Sequence, residues 1–184
     1  MLDFQKVETT SSGSKYIQPG VHDNVKITGI KKSDGYDSIV MSFEKQGTGE
    51  TAEHRFFMDS EVKTEGKKSS LQESAEMFLH IASKVMDEKQ FKSKMGQCQN
   101  TEEIALRLSA LLVGKVLRLK FMSREIQGSD GKKNWFKAQL PRFNFAESME
   151  TNPTRLVYDP SNKWDMKRLP SVSSQVSINE NLPF

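Results

Sequence analysis

The hydrophobic period of this chain changes twice, and that change limits the folds open to it. In "YIQPGVHDNVKITGIKKSDG", Val21, Val25 and Ile27 point one way while His22, Asn24, Lys26 and Thr28 point the other. That two-residue period is the mark of a half-buried strand. A Pro-Gly turn precedes it, and Ser-Asp-Gly turn chemistry ends it. "YDSIVMSFEK" alternates again, with Ile39, Met41 and Phe43 on one face. After "GTGE", "TAEHRFFMD" supplies a third strand of the same meander.

The period then lengthens. "SSLQESAEMFLHIASKVMDE" spaces Leu71, Ala75, Phe78, Leu79, Ala82, Val85 and Met86 as one side of a helix. Ser70 and Glu73 fit a capping box at its start, and Asn100 with Glu103 repeats that pattern before "EEIALRLSALLVG". The second helix carries Ile104, Leu108, Leu111 and Leu112, and Gly114 suits its stop. Between the two, "KQFKSKMGQCQN" has room for a short helical turn.

Alternation returns in "KVLRLKFMSREI". Leu117, Leu119 and Phe121 share one face; Arg118, Lys120, Met122 and Arg124 share the other. The loop "QGSDGKK" leads to "NWFKAQLPRFNF", where Phe136, Ala138 and Leu140 oppose Trp135, Lys137 and Gln139. Pro141 lacks an N–H and marks an edge or a bend. From about Met149 the pattern fails in a segment rich in Pro, Ser and Asn, with room for a short strand at "TRLVY". That composition reads as a flexible tail.

Three strands, a helical insert and two strands are the element order of a five-stranded OB-fold-like Greek-key barrel. The expected class is mainly β, with the insert, about 70–113, between strands three and four. The expected layout is a flexible arm at 1–15, the OB-fold domain at 16–148, and a tail at 149–184.

OB-folds bind single-stranded nucleic acid with cations for phosphates and aromatic faces for bases. The outward phase of the strands offers both. Arg118, Lys120 and Arg124 lie on the fourth strand, Trp135 and Lys137 on the fifth, with Lys132 and Lys133 in the loop between. The third strand adds Arg55, with Phe57 rather than Phe56 expected outward. The first adds Lys26, and its turn adds Lys31, Lys32 and Tyr36. Basic residues alternating on a strand are commonly just a solvated face. The convergence of bases and aromatics on several strands is what favours a site.

Composition narrows the alternatives. Lys and Arg number 27 against 24 Asp and Glu, too even a balance to demand a polyanion. No apolar run is long enough to span a bilayer, and the N-terminal stretch lacks the apolar core of a secretory signal. One cysteine, Cys98, makes no disulfide framework and fits a reducing cytoplasm. His22, His54 and His80 lack metal-ligand spacing, and neither GxxxxGK[ST] nor GxSxG occurs. No cofactor, metal site or enzymatic activity is expected.

Two stretches resemble a known family. "SKYIQPGVHDNVKITGI" is similar to the opening strand of OB-fold single-stranded DNA-binding proteins of bacteriophages. "ENLPF" resembles the tip of bacterial single-stranded DNA-binding proteins: acids, then an apolar residue, Pro and Phe. The matching positions are Glu180, Leu182, Pro183 and Phe184. The resemblance implies a non-enzymatic protein that coats single-stranded DNA in phage replication or recombination. It also implies that the tip recruits replication and recombination proteins, with Phe184 entering an apolar pocket and its α-carboxylate meeting a basic residue. This tail departs from the family. From 151 to 184, Arg155, Lys163, Lys167 and Arg168 face Asp159, Asp165 and Glu180, a net charge of +1. Electrostatic help for docking is then weaker than in the family. DNA against RNA, and monomer against homo-oligomer, stay open. So does an alternative role as an OB-like scaffold of a virion or replisome that does not bind nucleic acid.

Overall fold

A computed structural model describes residues 15–127 and 134–169, with the backbone alone for Asn134 and Trp135. The element order is β1 (Gly20–Lys32), β2 (Ser38–Lys45), β3 (Glu50–Phe57), α1 (Ser70–Ala82), α2 (Glu88–Met95), α3 (Thr101–Leu112), β4 (Val116–Gln127), β5 (Asn134–Gln139), β6 (Ala146–Glu147) and β7 (Met166–Lys167). The chain is mainly β with a helical insert, which starts and ends where the period changes.

One sheet holds all seven strands, in the order β3-β2-β1-β4-β5, with β6 and β7 also on β4. Between the outer edges of β3 and β5 no ladder forms, so the sheet is open there. At one end of that gap, the Leu140 N–H donates to His54 Nδ1 at 3.2 Å, a side-chain link in place of a ladder. Two register shifts bend β1, one between His22 and Val25 and one between Ile27 and Gly29. Such bulges add twist and let a strand curve. Asn24 sits in the first of them at φ 55°, a conformation Asn tolerates better than most residues.

The alternating faces meet as their pattern requires. Val25, Ile27, Ile39, Met41, Phe43, Phe56, Leu117, Leu119 and Phe121 are buried together. Phe78 and Ile81 of α1 and Leu108 and Leu112 of α3 join the same core. Each such side chain contributes about 1.5–3 kcal/mol through burial. Phe121 packs edge-on against Phe43, with centroids 5.8 Å apart.

The caps differ from expectation by one residue at α1. Ser69, not Ser70, is the N-cap, and its box closes with Gln72 rather than Glu73. Ser70 and Glu73 therefore lie inside the helix, where Glu73 pairs with Arg142. At α3 the Glu103 N–H donates to Asn100 Oδ1 at 2.9 Å, as the spacing predicts. Gly114 follows that helix at φ 86°, which a residue with Cβ adopts only with strain. The expected helical turn between the two is the eight-residue α2, capped by Asp87.

The segment after 148 departs most from expectation. Residues 149–169 pack on the body rather than trailing from it. β5 and β6 share one edge of β4; β1 takes part of the other, and β7 pairs parallel to Ser123 and Arg124 beyond it. Leu156 and Asp165 are buried. "TRLVY" contains no strand; the strand is at Met166–Lys167. No described helix is long and apolar enough to cross a membrane.

Candidate functional site

The open edge between β3 and β5 is where the chemistry gathers. Along β3, Thr51, Glu53, Arg55 and Phe57 are exposed while Ala52 and Phe56 are buried, the alternation a half-buried strand imposes. Phe57 is 53% exposed and Phe56 only 2%, so the outward residue of the pair is the expected one. Val40 of β2 stands opposite both Lys31 of β1 and Arg55 of β3, which puts the two cations in one row of the sheet. Val40 is nonetheless buried, as the aliphatic stems of flanking Lys and Arg side chains can cover an apolar neighbour. The Arg55 guanidinium lies 5.2 Å from the centre of the exposed Tyr36 ring. Tyr36, from the turn after β1, thus lies beside Arg55, and Phe57 stands two residues further along the same exposed face of β3.

Across the gap, Arg124 of β4 and Lys137 of β5 are direct register partners and both are exposed. Directly opposed like charges destabilise a sheet. Neither makes an ion pair with a described residue. Both line a hollow of about 530 Å³ that also contains Arg55, Phe57, His54, Glu53 and Leu169. A second hollow, of about 760 Å³, adjoins it and shares Glu53 and Lys137. Its walls include Tyr16, Ile17, Pro19, Ser42, Phe43, Thr51 and Phe136. The two hollows meet at Glu53 and Lys137 and together make up the groove of the open edge.

His54 sits at the gap, its ring 4.6 Å from that of Phe56. Burial, with the Lys137 charge adding to it, pushes its pKa down to about 4. The ring is neutral near pH 7, which leaves Nδ1 free to accept from Leu140. Burial also lowers the pKa of His22 and His80. Among the described residues, no group of His, Cys, Asp and Glu is placed to hold a metal ion.

Other expected site residues fall elsewhere. Arg118 is engaged inside the fold: it pairs with Asp23 and with Glu147, and donates to the Thr151 carbonyl at 2.7 Å. These acids raise its pKa, Asp23 foremost. Burial would raise that of Glu147, but the Thr154 hydroxyl, the Arg155 N–H and Arg118 together hold it below the usual carboxylate range. Lys120 reaches Asp165 at 2.7 Å and the Val157 carbonyl at 3.1 Å, and is 11% exposed. Both cations anchor the segment after β6, and an outward strand position alone gives no sign of that. Lys26 stands opposite Glu44. Lys31 and Lys32 are exposed at the end of β1. Lys132 and Lys133 lie outside the described residues, as do Glu180, Leu182, Pro183 and Phe184. The Trp135 backbone pairs with Ile126, and its side chain is also outside the description.

Sequence reasoning missed Tyr16, Glu53 and Phe136 as groove residues. Phe136 shares the phase of Ala138 and Leu140, which points it to the core; it is 50% exposed, and among the described residues no strand lies beyond β5. Set against protein-family models and curated protein sequences, the chain matches none.

Proposed function

We propose that this protein binds single-stranded nucleic acid without sequence specificity along the β3–β5 groove, as a coating protein of DNA replication or recombination. The observation that carries this reading is the opposed pair Arg124 and Lys137, without ion-pair partners among the described residues, in a groove with Arg55 and Phe57. A phosphodiester chain relieves that repulsion, and Phe57 and Tyr36 offer ring faces to bases. The strand order and the insert between β3 and β4 support an OB-like sheet, whose second and third strands commonly carry the ligand. Kinship with phage single-stranded DNA-binding proteins, and recruitment of replication and recombination proteins by Leu182–Phe184, belong to the same proposal and rest on the sequence resemblance.

Fluorescence anisotropy with labelled oligo-dT, oligo-U and duplex DNA tests it. The expected result is tight binding to a single strand, weak binding to duplex, and affinity that falls as salt rises. Equal affinity for duplex and single strand overturns the reading.

A further inference from the structure

We infer that the larger hollow of the groove receives one nucleobase of the bound strand, and that Glu53 there selects a base with adjacent N–H donors on its Watson–Crick edge, guanine above all. The inference rests on the proposed binding of single strands and adds a base preference at one position of the footprint.

The hollow, at about 760 Å³, lies within the size range of small-ligand pockets, roughly 300–1,000 Å³. Phe136 and Tyr16 put aromatic rings on its walls, and both are exposed. Aromatic walls suit a flat base. Lys137 is common to this hollow and to the one holding Arg55 and Arg124, so a phosphate beside Lys137 places its neighbouring base at the larger hollow.

Glu53 decides which base. Ser42 and Glu53 are register partners on β2 and β3, and both line the larger hollow. Ser42 Oγ donates to Glu53 Oε1 at 3.3 Å. Glu53 Oε2 takes no hydrogen bond from a described residue, and the side chain makes no ion pair with one. A carboxylate only accepts hydrogen bonds. Guanine offers N1–H and the N2 amino group side by side, matching two carboxylate oxygens. Thymine and uracil flank their one N–H with two carbonyl oxygens, which a carboxylate repels. A phosphate is also repelled, so the backbone stays with Arg55, Arg124 and Lys137 while the base turns inward.

The test is anisotropy with the full chain at one fixed salt concentration. Two labelled oligonucleotides are compared: oligo-dT, and the same length with one central guanine. The guanine strand is expected to bind on the order of tenfold tighter, the scale of one bidentate base contact. Glu53→Gln, at an exposed position, is expected to abolish that difference. Unlabelled guanosine monophosphate is expected to displace the guanine strand from the unmodified protein at lower concentration than thymidine monophosphate. That comparison decides the matter should the variant fail to fold. Equal affinity for the two strands, a preference that survives Glu53→Gln, or equal displacement by the two nucleotides overturns the base pocket and leaves single-strand binding standing. Failure of every oligonucleotide to bind overturns both.

Discussion

His54 shows how much one side chain can carry at an open edge. Its neutral ring accepts the Leu140 N–H across the β3–β5 gap. Its folded pKa is pushed down to about 4, below the unfolded value of about 6.5. Above pH 6.5 neither state binds the proton, and the contribution to stability is intact. As pH falls from 6.5 towards 4, the unfolded chain takes up a proton that the folded ring refuses. Stability is then lost, by up to about 3 kcal/mol over that window. Urea midpoints measured between pH 7.5 and 4 are expected to fall, and His54→Asn is expected to flatten the fall; an unchanged slope in the variant would show that other groups carry it. At this scale the sequence was legible where alternation alone decides, as at Phe56 and Phe57. It was not legible at Arg118 and Lys120. Their outward phase is correct, but the acids that take up their charge come from Asp23, Glu147 and Asp165, residues no local pattern links to them.

Among the elements, the segment from β6 to β7 changes the boundary of the folded body. Composition suggested a flexible tail from 149, because the segment has no period and buries little. What holds it is polar and long-range. Asp165 is 5% exposed; it takes the Lys120 ammonium on one oxygen and the Asp159 N–H, at 2.8 Å, on the other. The Ser123 N–H donates to the Asp165 carbonyl at 2.8 Å, at the start of the β7 pairing. Removing one partner from a buried pair leaves the other charge without compensation, at a cost of about 3–5 kcal/mol. Asp165→Ala is therefore expected to destabilise the protein by about that amount, read from denaturant unfolding, and to expose 149–169 to limited proteolysis. A loss below about 1 kcal/mol would mean the segment is only loosely attached. The three helices were legible for the opposite reason. Caps and apolar spacing are local, so α3 and the start of α1 were read to within one residue; α1 stops at Ala82, short of Val85 and Met86, and α2 was foreseen only as a short turn without its Asp87 cap.

For the whole molecule, binding of a polyanion depends on which cations the fold leaves unpaired. Net charge is a poor guide, since 27 basic residues face 24 acidic ones. With Arg118 and Lys120 engaged inside the fold and Lys26 facing Glu44, the described cations left at the groove are Arg55, Arg124 and Lys137, with Lys31 in the row of Arg55 and Lys167 beside Arg124. Each phosphate neutralised on a single strand contributes about −0.7 to the slope of log affinity against log salt, so five contacts give a slope of about −3.5. Lys132 and Lys133, which precede β5 in the sequence, steepen it if they also touch phosphate. Arg124→Gln is expected to reduce the slope by about 0.7 and weaken binding alike for all sequences, because a phosphate contact carries no base information. It also removes the repulsion with Lys137, so its folding stability is expected to hold or rise slightly while binding falls. Opposite movement of those two quantities is what separates a binding cation from a structural one. If Arg124→Gln lowers stability and leaves the salt slope unchanged, the open edge is not the path of the strand.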